Sequence, residues 1–145
     1  MRTPCSRPGS PFGCGRFDLY GQGCPTCAGR TPQLEANGCA VPGGSLRVQV
    51  HGGIAGHPAF VALGAQQASI PLPGGCTLLA APILPSLLGP IALNANGLFA
   101  GAALVTTSLP GTTPTGTIRT QAFVADPGSV KGFAATNGLE IQIAP

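Results

Sequence analysis

The sequence has very few ionisable residues: 7 Lys or Arg and 4 Asp or Glu among 145 residues, with 2 His and no Trp. Catalytic sites and metal sites depend on ionisable side chains at chosen positions. A chain with so few of them has little material for either kind of site. We therefore predict a protein that is not an enzyme and that needs no cofactor and no metal.

The net charge of +3 is confined to one end of the chain. Residues 1–34 contain four arginines and one aspartate, whereas the three basic and three acidic residues of 35–145 cancel. The four arginines are scattered, and binding of a nucleic acid requires a dense basic surface. The sequence therefore predicts no nucleic-acid partner.

The most apolar part of the chain, 78–93, contains Pro82, Pro85 and Pro90. Prolines at this spacing prevent a continuous apolar helix of about 20 residues, so we predict no membrane span. The first residues lack the apolar segment of a signal peptide. Because lysine and acidic residues are rare and cysteine is frequent, we still expect an extracellular or cell-surface location, with the signal peptide upstream of this segment.

Alternation of apolar and polar residues predicts β-strands from residue 45 onward. Leu46, Val48 and Val50 alternate with polar residues, and the same period of two recurs at 117–125 and 139–143. We predict an all-β fold, a single antiparallel β-sandwich of about seven to nine strands, with a closed β-barrel as the alternative. The predicted core residues are Leu46, Val48, Val50, Ile118, Ala122, Val124, Leu139, Ile141 and Ile143.

Glycine-containing motifs predict the turns. Asn-Gly occurs at 37–38, 96–97 and 137–138, and this dipeptide is typical of tight hairpins because both residues adopt positive φ at little cost. Asp-Pro-Gly at 126–128 predicts a type II turn, with proline at its second position and glycine at its third.

Residues 1–44 differ from the rest, because they are rich in Gly and Pro and contain five of the six cysteines. We predict that 1–22 is a linker or the tail of a preceding module. We predict that 23–145 is one β-sandwich domain whose irregular lead-in at 23–44 is pinned by disulfides. The candidates for disulfide bonding are Cys5, Cys14, Cys24, Cys27, Cys39 and Cys76. We expect at least two disulfides, one of them joining Cys76 to the 24–39 segment.

Cys24 and Cys27 have the spacing of a CxxC motif. A redox-active CxxC lies at the start of a helix, whereas glycine and proline follow closely here. A zinc site with four cysteine ligands, formed by these two cysteines, Cys39 and one other, is a second alternative, although zinc ribbons use two such pairs and this chain has one. Structural disulfides are the favoured interpretation.

The other ionisable residues show no spacing typical of a site. His51 and His57 lie in a Gly-rich stretch after a predicted strand, and we interpret them as a solvent-exposed pair. Asp126 is accounted for by its turn and Glu140 by the outward face of the last strand. Neither these two acids nor Asp18 and Glu35 form a local pair, so we predict no acid–base pair of the kind that glycosidases use.

Several short motifs occur in an order that resembles a known kind of module. They are Tyr-Gly-Gln-Gly-Cys-Pro at 20–25, Thr-Pro-Gln-Leu at 31–34, Asn-Gly-Cys at 37–39, Pro-Gly-Gly at 42–44, Pro-Leu-Pro-Gly-Gly-Cys-Thr-Leu-Leu at 71–79, Gln-Ala-Phe-Val-Ala-Asp-Pro-Gly-Ser at 121–129 and Ala-Thr-Asn-Gly-Leu at 135–139. Over about 20–145 the chain resembles the carboxy-terminal module of large secreted proteins from planctomycete- and myxobacterium-type bacteria. The resemblance implies export, a β-rich fold and an accessory role, and it carries no activity. Cys24, Cys39 and Cys76 match family positions.

These observations lead to one expectation about function and one alternative. We expect a noncatalytic extracellular module with a structural or adhesive role in a secreted or cell-surface protein. The alternative is a carbohydrate- or surface-polymer-binding module, for which Tyr20 is the one available Trp or Tyr platform. The expected partner is a neighbouring domain, a surface polymer or a second copy, bound through an uncharged β face.

Overall fold

The computed structural model describes residues 14–72, 75–96, 100–129 and 131–144, and within 82–90 it describes the backbone alone. Eight β-strands lie in these residues. They are β1 (Arg16–Tyr20), β2 (Gln33–Gly38), β3 (Ser45–His51), β4 (Pro58–Pro71), β5 (Thr77–Ala92), β6 (Ala103–Ser108), β7 (Gly116–Ala125) and β8 (Phe133–Ile143).

The strands form two antiparallel sheets packed face to face. The larger sheet has the order β1-β8-β7-β4-β5, and the smaller sheet has the order β2-β3-β6. Both sheets are open, ending at β1 and β5 in one case and at β2 and β6 in the other. The predicted all-β antiparallel sandwich is confirmed, and the barrel alternative is wrong.

The core lies between the two sheets and follows the predicted alternation. Leu46, Val48 and Val50 of β3 point inward against β8 and β7, and Arg47 points out. The predicted core residues of β7 and β8 are also buried, except that Ile118 is half-buried against the same cluster. Alternate burial of this kind defines which residues each sheet presents on its outer face.

The β4–β5 hairpin extends beyond the larger sheet and folds over its outer face. β4 pairs with β7 only through Gly64, whereas its pairing with β5 continues to Pro71 with several register shifts. The folded-over end forms a second small cluster, in which Cys76 and Leu72 pack against Ala135 and Phe123. The larger sheet is therefore covered on both faces at this end.

Two short strands lie where the sequence predicts a linker and an irregular lead-in. β1, within 1–22, is an edge strand of the larger sheet and places Phe17 opposite Ile141. β2, within 23–44, pairs with β3 and buries Leu34 completely. Each strand contributes only one or two apolar residues to the core, which is too few for a recognisable period.

Three of the predicted turns differ from the structure. Asn137 and Gly138 lie inside β8 rather than in a hairpin, and Gly138 has no positive φ. The turn at 126–128 closes with Ser129 donating to the carbonyl of Asp126 at 3.1 Å, but without positive φ at Gly128 it is type I rather than type II. Asn37 and Gly38 lie within β2 and pair with Arg47 and Leu46 of β3, so the tight hairpin predicted at 37–38 is wrong. Gly38 has φ +113°, but Asn37 has no positive φ. The third predicted site includes Gly97, which lies outside the described residues.

Candidate functional site

The outer face of the larger sheet brings together two acids that are far apart in sequence. Asp18 of β1 lies directly opposite Glu140 of β8. On β7, Arg119 donates a hydrogen bond from Nε to Oε2 of Glu140 at 3.0 Å. Its Nη2 lies 2.9 Å from the same oxygen. Asp18 has its own ion pair with Arg16 at 3.4 Å. The two acids that have no local pairing in sequence are therefore neighbours across the sheet, each with its own arginine.

This pair of acids is not poised for acid catalysis. Burial alone would raise the pKa of Glu140, but hydrogen bonds from Arg119 and Gln67 and the charge of Arg119 outweigh it, so its pKa lies below the ordinary value. A glycosidase pair needs one carboxyl group that stays protonated near neutral pH. Arg119 holds Glu140 and Arg16 holds Asp18, so the four side chains form two neighbouring ion pairs, which we call the ion-pair ladder.

Gln121 attaches the folded hairpin to the same face. Its side chain is completely buried, and its Oε1 accepts a hydrogen bond from the backbone N–H of Leu79 at 2.9 Å. Its Nε2 donates to the carbonyls of Thr77 and Thr136 at 2.9 and 3.0 Å. A buried amide with both donors engaged fixes its neighbours because any rearrangement leaves a polar group without a partner.

Tyr20 is engaged in the same attachment. Its hydroxyl donates to the carbonyl of Leu79 at 2.5 Å, and its ring covers Gly138, where an added Cβ would lie 2.4 Å from the ring. Glycine in the middle of β8 is therefore explained by the close approach of an aromatic ring. Because the ring is used within the fold, Tyr20 is not an open platform for a sugar.

Asn137 links the two sheets at the edge of β2. Its Oδ1 accepts from the N–H of Leu34 at 3.0 Å, and its Nδ2 donates to the carbonyl of Leu34 at 3.1 Å. The side chain thus takes the place of a neighbouring strand. The sequence predicts a turn at this Asn-Gly pair, but the pair lies inside β8, and the buried Asn137 side chain connects β8 to β2.

The cysteines form two disulfides and one thiol. Cys14 is joined to Cys39, and Cys24 to Cys76, with Cα–Cα distances of 4.5 and 5.0 Å. The expected bond between Cys76 and the 24–39 segment is present. Cys24 and Cys39 belong to different disulfides, so the zinc alternative is wrong in its ligand set. Cys5 lies outside the described residues.

Cys27 is the one cysteine of the described ranges without a disulfide partner, and it is exposed. Its backbone N–H donates to Oδ2 of the buried Asp126 at 2.7 Å. The hydrogen bond and negative charge of Asp126 raise the pKa of the Cys27 thiol. Burial alone would raise the pKa of Asp126, but hydrogen bonds from Cys27 and Gly128 outweigh it and lower that pKa. Sequence reasoning assigned Asp126 to its turn and missed this contact, which depends on residues distant in sequence.

The outer face of the smaller sheet is arranged differently. Alternation along β2, β3 and β6 directs one set of side chains away from the core: Glu35, Asn37, Arg47, Gln49, His51, Leu104 and Thr106. Register aligns them in rows across the sheet, one of them Glu35, Gln49 and Leu104. We call this surface the open face.

A shallow groove runs along the open face. Its volume is about 530 Å³, and Arg30, Glu35, Gln49 and His51 are among the residues that line it. His51 Nε2 lies 3.2 Å from Glu35 Oε2, and both side chains are well exposed. Leu104 is 55% exposed beside the groove. The open face therefore presents the exposed Leu104 beside the hydrogen-bonding side chains of Glu35 and Gln49.

The two histidines do not act together. His51 ends β3, whereas His57 precedes β4 and has its Nδ1 3.1 Å from the carbonyl oxygen of Ala55. Among the residues that the structure describes, no three His, Cys, Asp or Glu side chains gather as metal ligands. The same ranges contain no helix that is both long and apolar enough to cross a membrane.

Comparison of the chain with protein-family models, with curated proteins and with solved structures gives no match. The interpretation of function therefore depends on the two outer faces of the sandwich.

Proposed function

We propose that this chain is a noncatalytic structural or adhesive module of a secreted or cell-surface protein, and that it binds its partner through the open face. The observation that carries this proposal is the exposed Leu104 beside Glu35, Arg47 and Gln49 on the outer face of the smaller sheet, which no other described strand covers. An apolar side chain within a polar surface supplies burial on binding, while the surrounding groups supply specificity.

The use of the carboxylates supports a noncatalytic role. Glu140 is held by Arg119, and Asp18 by Arg16. Asp126 accepts from a backbone N–H, and Glu35 contacts His51. Each acid therefore has a partner within the fold, and the pKa values of Asp126 and Glu140 are lowered, the opposite of what a proton donor near neutral pH requires.

Two features support an extracellular location. The disulfides Cys14–Cys39 and Cys24–Cys76 suit an oxidising environment. The resemblance to the carboxy-terminal module of large secreted bacterial proteins implies export in the same way. Within such a protein, a small disulfide-pinned sandwich serves as an attachment unit.

Binding of a carbohydrate or surface polymer is a second candidate function. The groove on the open face favours it, because Arg30, Glu35, Gln49 and His51 offer several hydrogen-bonding groups along one line. The engagement of Tyr20 by Leu79 speaks for the first candidate, since sugar-binding faces usually present an aromatic ring.

Adhesion of coated beads tests the proposal. The full chain is attached to beads, and clustering is measured for coated beads alone, with bare beads, and with beads that carry peptidoglycan or another insoluble polysaccharide. We expect clustering of coated beads, with loss in Gln49→Glu on the open face and no loss in the matched Gln66→Glu on the hairpin. Binding to polysaccharide beads alone would favour the second candidate. Absence of adhesion to every bead, or equal adhesion of both variants, would contradict the proposal.

A further inference from the structure

Three of the four sheet edges are protected against pairing with another strand. β1 carries the charged Arg16 and Asp18, and β5 contains three prolines. The edge of β2 is occupied by the side chain of Asn137, which bonds both backbone groups of Leu34. Charges, prolines and covering groups are the usual means by which proteins prevent association at an edge.

The fourth edge, β6, has none of these protections from any residue that the structure describes. Its sequence Ala-Leu-Val-Thr-Thr-Ser contains neither charge nor proline, and β3 is its one strand neighbour within the described parts of the chain. Leu109 exchanges backbone hydrogen bonds with Gly43 and Gly44 on the β3 side, at 3.0 and 2.8 Å. By the alternation of an antiparallel ladder, the backbone groups of Leu104, Thr106 and Ser108 point to the free edge.

We propose that β6 pairs antiparallel with β6 of a second copy of this chain, joining two smaller sheets into one six-stranded sheet. The inference rests on the proposed function and deepens it, because a second copy paired at the β6 edge enlarges the open face through which the module binds. A twofold arrangement pairs the same uncharged strand with itself, so no like charges meet at the new edge. Strands β1 and β5 are less suited to pairing with a second copy, since β1 carries charges and β5 contains prolines.

The pairing also extends the open face. Leu104 and Thr106 lie on the outer side of β6 and are both exposed. In the paired sheet, the Leu104 side chain gains neighbours from the outward-facing threonine or serine of the other copy, and two grooves lie on one continuous surface. Cross-strand contacts between Thr, Ser and apolar residues stabilise such sheets.

The size of the contact predicts weak association. A strand of 6 residues buries less surface than a stable interface, which needs roughly 800 Å² from each partner. Weak pairing becomes strong when many copies are presented on one surface, because each further contact forms at high effective concentration. This is the behaviour that an adhesive module requires.

Sedimentation equilibrium tests the inference, with Cys5→Ser/Cys27→Ser in every chain so that no interchain disulfide contributes. We expect the average mass to rise from 14.3 kDa towards twice that value as the concentration increases, with little effect of salt. Thr106→Lys places two like charges across the new edge, and Thr106→Pro removes an outward N–H. Both variants should remain monomeric, whereas Thr112→Lys in the adjacent exposed loop should associate normally.

A monomer at every concentration, or a dimer that persists in Thr106→Lys with unchanged circular dichroism, would overturn the inference. The bead assay separates this failure from failure of the proposed function. A monomeric chain that still adheres to polysaccharide beads through Gln49 would contradict the pairing of β6 with a second copy, but not binding at the open face. Loss of adhesion to all beads would contradict both.

Discussion

The two outer faces of this sandwich arise from the same alternation of residues, but the hairpin covers part of one face and leaves the other exposed. On the larger sheet, Arg119 and Glu140 neutralise each other and Gln121 is buried beneath the hairpin. On the smaller sheet, Arg47 and Leu104 remain exposed. The difference follows from strand length, because β4 and β5 are long enough to fold back over their own sheet, whereas β3 and β6 are not. The comparison indicates that one face is structural and the other is available for binding.

The largest effect is expected from removing the disulfide that holds the hairpin. Cys24→Ala/Cys76→Ala opens a loop that the disulfide closes over a sequence separation of 52. The chain-entropy model predicts that this lowers the free energy of unfolding by about 4 kcal/mol. The control, Cys14→Ala/Cys39→Ala, has a separation of 25 and should lose about 3.5 kcal/mol. Denaturant unfolding measures both values. A negligible loss in the first variant would show that the hairpin is held by other contacts.

A matched pair of glutamine substitutions compares the two faces directly. Gln121→Leu leaves the N–H of Leu79 and the carbonyls of Thr77 and Thr136 without their partner, so we expect a loss of about 3 kcal/mol. Gln49→Leu on the open face should change stability by less than about 0.5 kcal/mol. Thermal unfolding of both variants checks the contrast, and equal losses would remove the distinction between the faces.

The ion-pair ladder should make stability depend on pH. Because the pKa of Glu140 is lowered in the folded chain, its contribution is present above the unfolded value of about 4.3 and is lost as the pH falls through the folded pKa. Arg119→Met should therefore cost about 1 kcal/mol at pH 7 and less at pH 3. Unfolding at both pH values tests this, and a cost that does not change with pH would mean that Arg119 acts through packing alone.

An effect of similar size, confined to the hairpin, is expected at the hydroxyl of Tyr20. Tyr20→Phe keeps the ring over Gly138 but leaves the carbonyl of Leu79 without its donor, which should cost about 1 kcal/mol. Hydrogen exchange in β5 should rise in this variant while exchange in β3 stays unchanged. Increased exchange in both strands would indicate that the hairpin and the smaller sheet open together.

The fold could be predicted from sequence wherever a strand is buried on one face only. β3 and β8 alternate cleanly at Leu46, Val48, Leu139 and Ile141, and these residues are buried as predicted. β1 and β2 were missed because their few apolar residues give no period. The hairpin that folds over the sheet could not be inferred, since its position depends on contacts such as that of Gln121 with Leu79.

The candidate site was harder to predict than the fold. The open face could have been assembled from the polar positions of β3, Arg47 and Gln49, once a neighbouring strand was known to carry Glu35. The pairing of Asp18 with Glu140 depends on the register of β1 against β8, and no local pattern specifies register between distant strands. The turn predicted at Asn137 is wrong for a related reason, because an Asn-Gly pair contains no local signal that separates a turn from a strand.

The most direct test compares two leucines that are equally exposed but lie on different sheets. Leu104 is 55% exposed on the open face, and Leu19 is 54% exposed on β1. The central claim is that binding occurs at the open face, so Leu104→Glu should reduce bead adhesion by roughly tenfold or more, whereas Leu19→Glu should adhere like the unchanged chain. Equal loss in both variants, or loss in Leu19→Glu alone, would contradict the account.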